Sequence, residues 1–253
     1  MRRGIIILTL WLISLLAQAQ SISALWQQVP GYRPLTVDKQ QEVSLWLDEQ
    51  TAKKVGTVIL LPDWGELPTS DDAIEPLRKM LPKWGWQTIA ITPPVPVKRQ
   101  LIIANDDPKA VDAYQQKLLD TLDALDKQRK ERFGYQVIVA QGVMAAWILR
   151  IYQQKQRPMP DALVIIDSYF PNEKFNQAIA QELAQLTCPV YDIYFRSANN
   201  WALSGVKARR IAMQRVQKLD YRQSELQSAP YLATSGQQLA KQLYGWFSAL
   251  GWN

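Results

Sequence analysis

The sequence predicts one α/β domain, a mainly parallel sheet with helices on both faces. Three observations predict it. From Val55 onward, short apolar segments alternate with longer segments of helical periodicity, joined by short connections. Several of the short segments (58–61, 137–139 and 163–166) are apolar at every position, which suits strands covered on both sides. The chain of 253 residues is 47% hydrophobic and 21% charged, the balance of a globular domain with a sizeable core. No internal repeat, low-complexity tract or second linker divides it.

Residues 1–19 read as a signal peptide. Arg2 and Arg3 open it, residues 5–16 form an apolar run, and Ala17-Gln18-Ala19 is a small-x-small cleavage site. The run is short for a membrane span, and no cysteine follows to take a lipid. Cleavage after Ala19 and export are expected. Residues 20–41 read as a loop-like lead, punctuated by Pro30-Gly31 and Pro34, and the domain then occupies 42–253.

Residues 42–48 alternate in polarity, predicting a half-buried antiparallel strand near a sheet edge. A strand follows over 55–61, then a helix over about 71–83, with Ser70 as its cap and Gly85 after its end. Residues 86–92 form the next strand, stopped by Pro93-Pro94, and 96–107 a loop. Asp107 and Pro108 open a long helix to about residue 132, with Val111, Tyr114, Leu118, Leu122 and Leu125 on one face. Beyond the strand over 137–139 and its helix, a strand is expected over 161–167 and a helix from the cap Asn172 to about 186. Strand 190–195, helix 205–219 capped by Ser204, strand 221–226 and a terminal helix opening at Thr234 or Ser235 complete the domain. Trp46, Trp64, Trp84, Trp86 and Trp147 lie in or beside apolar segments, so core packing is their expected use.

The formal charge is +6, and +4 once residues 1–19 with their two arginines are removed. Both signs are interspersed, so a nucleic-acid partner is not expected. Cys188 is the single cysteine and reads as a buried thiol at a strand start. With no histidine, no clustered acidic spacing and no glycine-rich phosphate loop, neither a metal nor a cofactor is expected.

Residues 136–150, QVIVAQGVMAAWILR, join an apolar strand, a small-residue turn and a helix without a break. Such a turn presents a serine nucleophile in the pattern Gly-x-Ser-x-Gly. Here the five positions are Ala140, Gln141, Gly142, Val143 and Met144, and the central one has no side chain. GTVILLPDWGELP, GWQTIAITPP, VIVAQGVMAAW, CPVYDIYFRSANN and DYRQSEL, in this order, resemble the strands and active-site turns of α/β-hydrolases. Over about 42–252 the chain is similar to a domain-of-unknown-function family of exported, α/β-hydrolase-like proteins of Gram-negative bacteria. The resemblance implies a periplasmic protein. Its active-site positions fall on Gly142 for the serine, Ala198-Asn199-Asn200 for the acid and residues 228–231, SAPY, for the histidine. Pro62-Asp63 replaces a His-Gly pair before the oxyanion loop. A triad needs a nucleophile, a base and a group that orients the base, and none is found at these positions.

Ligands of open parallel sheets bind beyond the carboxyl ends of the strands. Asp63, Trp64, Gln141, Gly142, Val143, Asp167, Ser168, Ser197 and Asn199 are therefore the candidate rim, although Asp63 and Asp167 also suit turn caps. Three functions compete. One is a non-catalytic protein that binds an envelope protein or a small ligand at this rim or its covering loop. Another is a hydrolase with a histidine-free site at Ser168 or Ser197. The third is a membrane-surface accessory protein using Lys207, Arg209 and Arg210, against the plainer reading of a solvated basic helix face.

Overall fold

The computed structural model describes residues 25–94, 108–129 and 133–252. Its strands are β1 (Tyr32–Val37), β2 (Gln40–Leu47), β3 (Gly56–Leu61), β4 (Trp86–Ile91), β5 (Tyr135–Gln141), β6 (Ala162–Ile166), β7 (Val190–Phe195) and β8 (Tyr221–Leu226). The helices are α1 (Ile74–Met80), α2 (Pro108–Gln128), α3 (Gly142–Gln153), α4 (Glu173–Ala184), α5 (Asn200–Arg215) and α6 (Ala233–Ala249). One eight-stranded sheet runs β1-β2-β4-β3-β5-β6-β7-β8. The pairs β1–β2 and β2–β4 are antiparallel and the other five are parallel.

The unbroken apolar runs follow from this layering. Ile59 and Leu61, Ile138 and Ala140, and Leu163 and Ile165 face a core built with α2, α3 and α4. The residues between them, Val58, Leu60, Val137, Val139, Val164 and Ile166, face a second core with α1 and α6. A strand under helices on both sides has no solvent face on which to place polar residues. Helix α3 lies over the sheet centre and is buried from Gly142 to Tyr152. Its Trp147 is fully buried between Tyr114 and Phe170, with ring centroids 5.1 and 5.2 Å away. Trp46 and Trp86 are likewise buried, while Trp64 and Trp84 pack partly buried against the two cores.

The structure corrects several expectations. The lead is not all loop: residues 32–37 form β1 and pair with β2, so β2 lies one strand in from the edge. Pro34 is tolerated because β1 is the edge strand, where a missing N–H costs least. Helix α1 begins at Ile74 and passes through a 3-10 turn (Leu81–Trp84) into left-handed Gly85. Ser70 does not cap it; its hydroxyl accepts the Leu67 N–H. Asn172 caps α4 as expected. Helix α5 starts five residues early because Asn199 caps it, accepting the Ala202 N–H at 3.0 Å, and Ser204 lies inside it. The terminal helix opens at Ala233, preceded by Leu232, while Ser235 donates to the Ala229 carbonyl. The signal peptide and the loop 96–107 lie outside the described residues.

Candidate functional site

Strand β5 passes into α3 through Gln141, still extended, and Gly142, at φ +59°. That left-handed angle is what a nucleophile elbow imposes, and a glycine adopts it without a Cβ clash. Leu61 is paired with Ala140, which sets the loop after β3 beside the first turn of α3. Asp63 uses this proximity. A Cβ built on Gly142 would overlap the Asp63 carboxylate, so an acid from the loop after β3 fills the space a side chain at 142 would need.

The carboxylate is held by backbone. Asp63 Oδ1 accepts the Trp64 N–H at 2.7 Å and the Val143 N–H at 2.8 Å. Amides at these two places, the loop after the first parallel strand and the helix start at the elbow, are the donors that stabilise an oxyanion in acyl transfer. Here they are engaged by the chain's own side chain. Burial nevertheless dominates and pushes the Asp63 carboxyl up to about 6; the Trp64, Val143 and Met144 amides pull it down, and the charge of Asp72 adds to the rise.

Around this plug the sequence-derived rim is partly assembled. Gln141 is 6% exposed, and its Nε2 donates to Asp72 Oδ2 at 2.7 Å while its Oε1 meets no donor among the described residues. Asp167 follows β6 at φ +48° and is buried. Its Oδ1 accepts the Phe195 N–H at 2.8 Å, tying the end of β6 to β7. Burial pushes the Asp167 carboxyl up to about 7; the Phe195 amide and Arg209 oppose the rise, and Asp72 and Asp192 add to it. Trp64 flanks Asp63 and donates from Nε1 to the Tyr114 hydroxyl at 2.7 Å, with the rings edge to face at 5.2 Å.

The two candidate serines are not equivalent. Ser168 is fully buried, and its Oγ has no partner among the described residues. Ser197 is exposed. Asn199 is occupied as a helix cap, its side chain accepting the Ala202 N–H.

Three residues of the site were not in the sequence-derived set. Asp72 joins Gln141 from the loop before α1. Tyr169 places its hydroxyl 3.5 Å from Asp63 Oδ2, and burial followed by the Asp63 charge pushes its pKa up to about 12. The third is Asp192, which corrects the reading of the basic helix. Arg209 is 1% exposed, and its Nε donates to Asp192 Oδ2 at 2.7 Å. The same oxygen accepts Tyr221 Oη and Gln223 Nε2, each at 2.8 Å. Arg209 also donates to the Ser168 carbonyl at 3.3 Å, bracing the turn that carries Asp167 and Tyr169. It has no surface to offer a membrane, whereas Lys207 and Arg210 are exposed. A lone acid within the otherwise uncharged strand VYDIYF was the signal for this pair.

Solved structures with the same fold include esterases and hydrolases. Est1E from Butyrivibrio proteoclasticus superposes with a TM-score of 0.60 at 9% identity, covering 86% of this chain and 99% of its own. The dienelactone hydrolase from Anabaena variabilis gives 0.62 at 11% identity, over 86% and 96%. The esterase domain of a Rhodothermus marinus protein gives 0.58 at 8% identity, over 85% and 96%. At these identities the likeness establishes the α/β-hydrolase fold alone. No curated protein matches the chain. The family profile described as a protein of unknown function, DUF3530, matches residues 17–117 and 103–249, and the chain belongs to that family.

Proposed function

We propose that this protein is a non-catalytic member of the α/β-hydrolase fold that binds a partner or small ligand at its strand-end rim in the bacterial envelope. One observation carries the reading. The space at Gly142 and the two amides beside it are taken by the Asp63 carboxylate, so an ester carbonyl has neither an attacking group nor free donors there. The lack of any histidine agrees with it. The envelope location rests on residues 1–19 as a cleaved signal.

The test is a broad ester panel together with a serine-reactive fluorophosphonate probe. The expected result is turnover at the buffer rate and no labelling. Labelling or turnover abolished by Ser168→Ala or Ser197→Ala would overturn the reading in favour of a histidine-free hydrolase. Ser168 is the weaker of those two nucleophiles, because a fully buried hydroxyl is closed to substrate.

Membrane-surface contact is a lesser proposal, reduced to Lys207 and Arg210 now that Arg209 is paired inside. Among the described residues, no helix is long and apolar enough to cross a membrane. Flotation with anionic liposomes that is unchanged on charge reversal at Lys207 and Arg210 would remove it.

A further inference from the structure

We infer that the groove between the N-terminal halves of α4 and α5 binds a neutral saccharide. Such a ligand gives the binding role proposed above, on which this assignment rests, a place and a chemistry.

The groove opens at the ligand-binding end of the sheet. Helices α4 and α5 follow β6 and β7, so their first turns stand beyond the carboxyl ends of those strands. Between them lies a cavity of about 480 Å³, a size that small ligands occupy. Among the described residues, its lining has none in common with the Asp63 plug. Trp201 forms part of the wall, a large aromatic ring left 41% exposed in the first turn of α5. Glu173 and Gln177 line the groove from α4, and Asn200 and Ser204 line it from α5.

The walls are fixed before any ligand arrives. Asn176 is 7% exposed yet part of the lining. Its Oδ1 accepts the Phe170 N–H at 3.0 Å, and its Nδ2 donates to the Trp201 carbonyl at 2.9 Å and to Ser204 Oγ at 3.3 Å. Ser204 Oγ donates to the same carbonyl at 2.9 Å. The backbone that carries the indole is thereby pinned to α4, so binding need not order it.

The lining discriminates among ligand classes. Among its described residues there is no lysine or arginine to pair with a phosphate or a carboxylate. Glu173 is the one carboxylate there, and it already accepts from Gln177 Nε2 at 3.1 Å, whereas a metal ion needs several such ligands. A quaternary ammonium is held by a cage of rings, and the groove supplies one ring. A wholly apolar ligand would strip water from the amides and the carboxylate without replacing it. The ligand that fits is uncharged, with an apolar face for the indole and polar groups around its whole perimeter, because polar side chains stand on both helices. A pyranose ring has this shape. Its C–H face packs on the aromatic ring, while its hydroxyls, each donor and acceptor, meet the side chains of Glu173, Gln177, Asn200 and Ser204. A nucleobase concentrates its polar groups along an edge and suits two polar walls less.

The test is calorimetric titration and saturation-transfer NMR on the purified protein at pH 7. The probes are cellobiose, maltose and N,N′-diacetylchitobiose, with glucuronate, choline and adenosine as controls. Saturable binding of at least one disaccharide is expected, with transfer to its ring C–H protons and weaker binding of every control. Trp201→Ala and Ala208→Phe should each weaken binding at least about tenfold, the first by removing the platform and the second by filling the groove. Neither alters the Asn176 hydrogen bonds, which reach the Trp201 carbonyl and not its ring, and circular dichroism checks that both variants fold. No saturable binding of any of the disaccharides, equal or tighter binding of a control, or wild-type affinity in either folded variant would each overturn the proposal. Ester turnover or phosphonate labelling would strike at the non-catalytic reading, and the saccharide titration, at a groove apart from Gly142, is read independently.

Discussion

Replacing Asp63 by asparagine should stabilise the protein, although it alters a residue that makes two short hydrogen bonds. The amide oxygen of the new side chain would still accept the Trp64 and Val143 N–H groups, which reach a single oxygen in the native chain. What is removed is the buried charge. The gap between about 6 and the ordinary 3.8 corresponds to about 3 kcal/mol against the ionised form, and residual solvent contact at this half-buried residue reduces the expected gain to about 2 kcal/mol. A carboxyl whose folded pKa is raised contributes its stability below the unfolded pKa, and that contribution is lost as pH rises through about 6. The variant should therefore match the native protein near pH 4 and exceed it by about 2 kcal/mol at pH 8. Urea unfolding followed by tryptophan fluorescence measures this. With an m-value of about 3 kcal/mol/M, the midpoint at pH 8 moves up by about 0.7 M. A variant less stable at pH 8, or a difference that does not change with pH, would mean the amides hold the charge more strongly than burial opposes it.

Other outcomes follow from the same geometry. Gly142→Ser drives a Cβ into the Asp63 carboxylate at φ +59°, and calorimetry should show a loss of about 2–4 kcal/mol, partly restored in the Gly142→Ser/Asp63→Gly pair, without ester hydrolysis in either. Arg209→Met leaves Asp192 charged and buried, costing about 3–5 kcal/mol, whereas Arg209→Met/Asp192→Leu should recover most of it in a double-mutant cycle. The Cys188 thiol is buried, with its pKa pushed up to about 11 by burial first, so its reaction with an aromatic disulfide at pH 8 should be at least about a hundredfold slower in native than in unfolded protein.

The fold was legible because parallel strands under two helical layers write themselves as uninterrupted apolar runs, as at 58–61 and 163–166. β1 was not, because YRPLTV has one proline and exposed alternate positions, and its partner is identified only by the hairpin that returns it to β2. At the site, the sequence exposed the oddity at Gly142 but not its consequence. Asp63 is 80 positions from Val143, and an acid after a strand looks the same whether it caps its own turn or crosses to another helix. Arg209 misled for a related reason: in a helix rich in lysine and arginine, periodicity does not reveal which one has a carboxylate beneath it. Ser168 illustrates the converse, since position after a strand made it a candidate and burial closed it.

The rim is costly in a way that folding does not require. Above pH 8, ionising Asp63 and Asp167 inside the fold is opposed by about 2 and about 4 kcal/mol, a sizeable part of a domain's net stability. Each carboxylate accepts backbone N–H bonds that an asparagine oxygen could also accept, more weakly, so the geometry of the hydrogen bonding does not by itself require acids. Charge is the property that asparagine cannot reproduce. With carboxyls at about 6 and about 7, the chain sheds that cost near and below neutral pH by protonating them, so the rim carries its full charge only on the alkaline side. The same reasoning separates the two halves of the site. The Asp63 oxygen that engages the amides closes the position where a hydrolase would attack, and the other oxygen meets the Tyr169 hydroxyl at 3.5 Å.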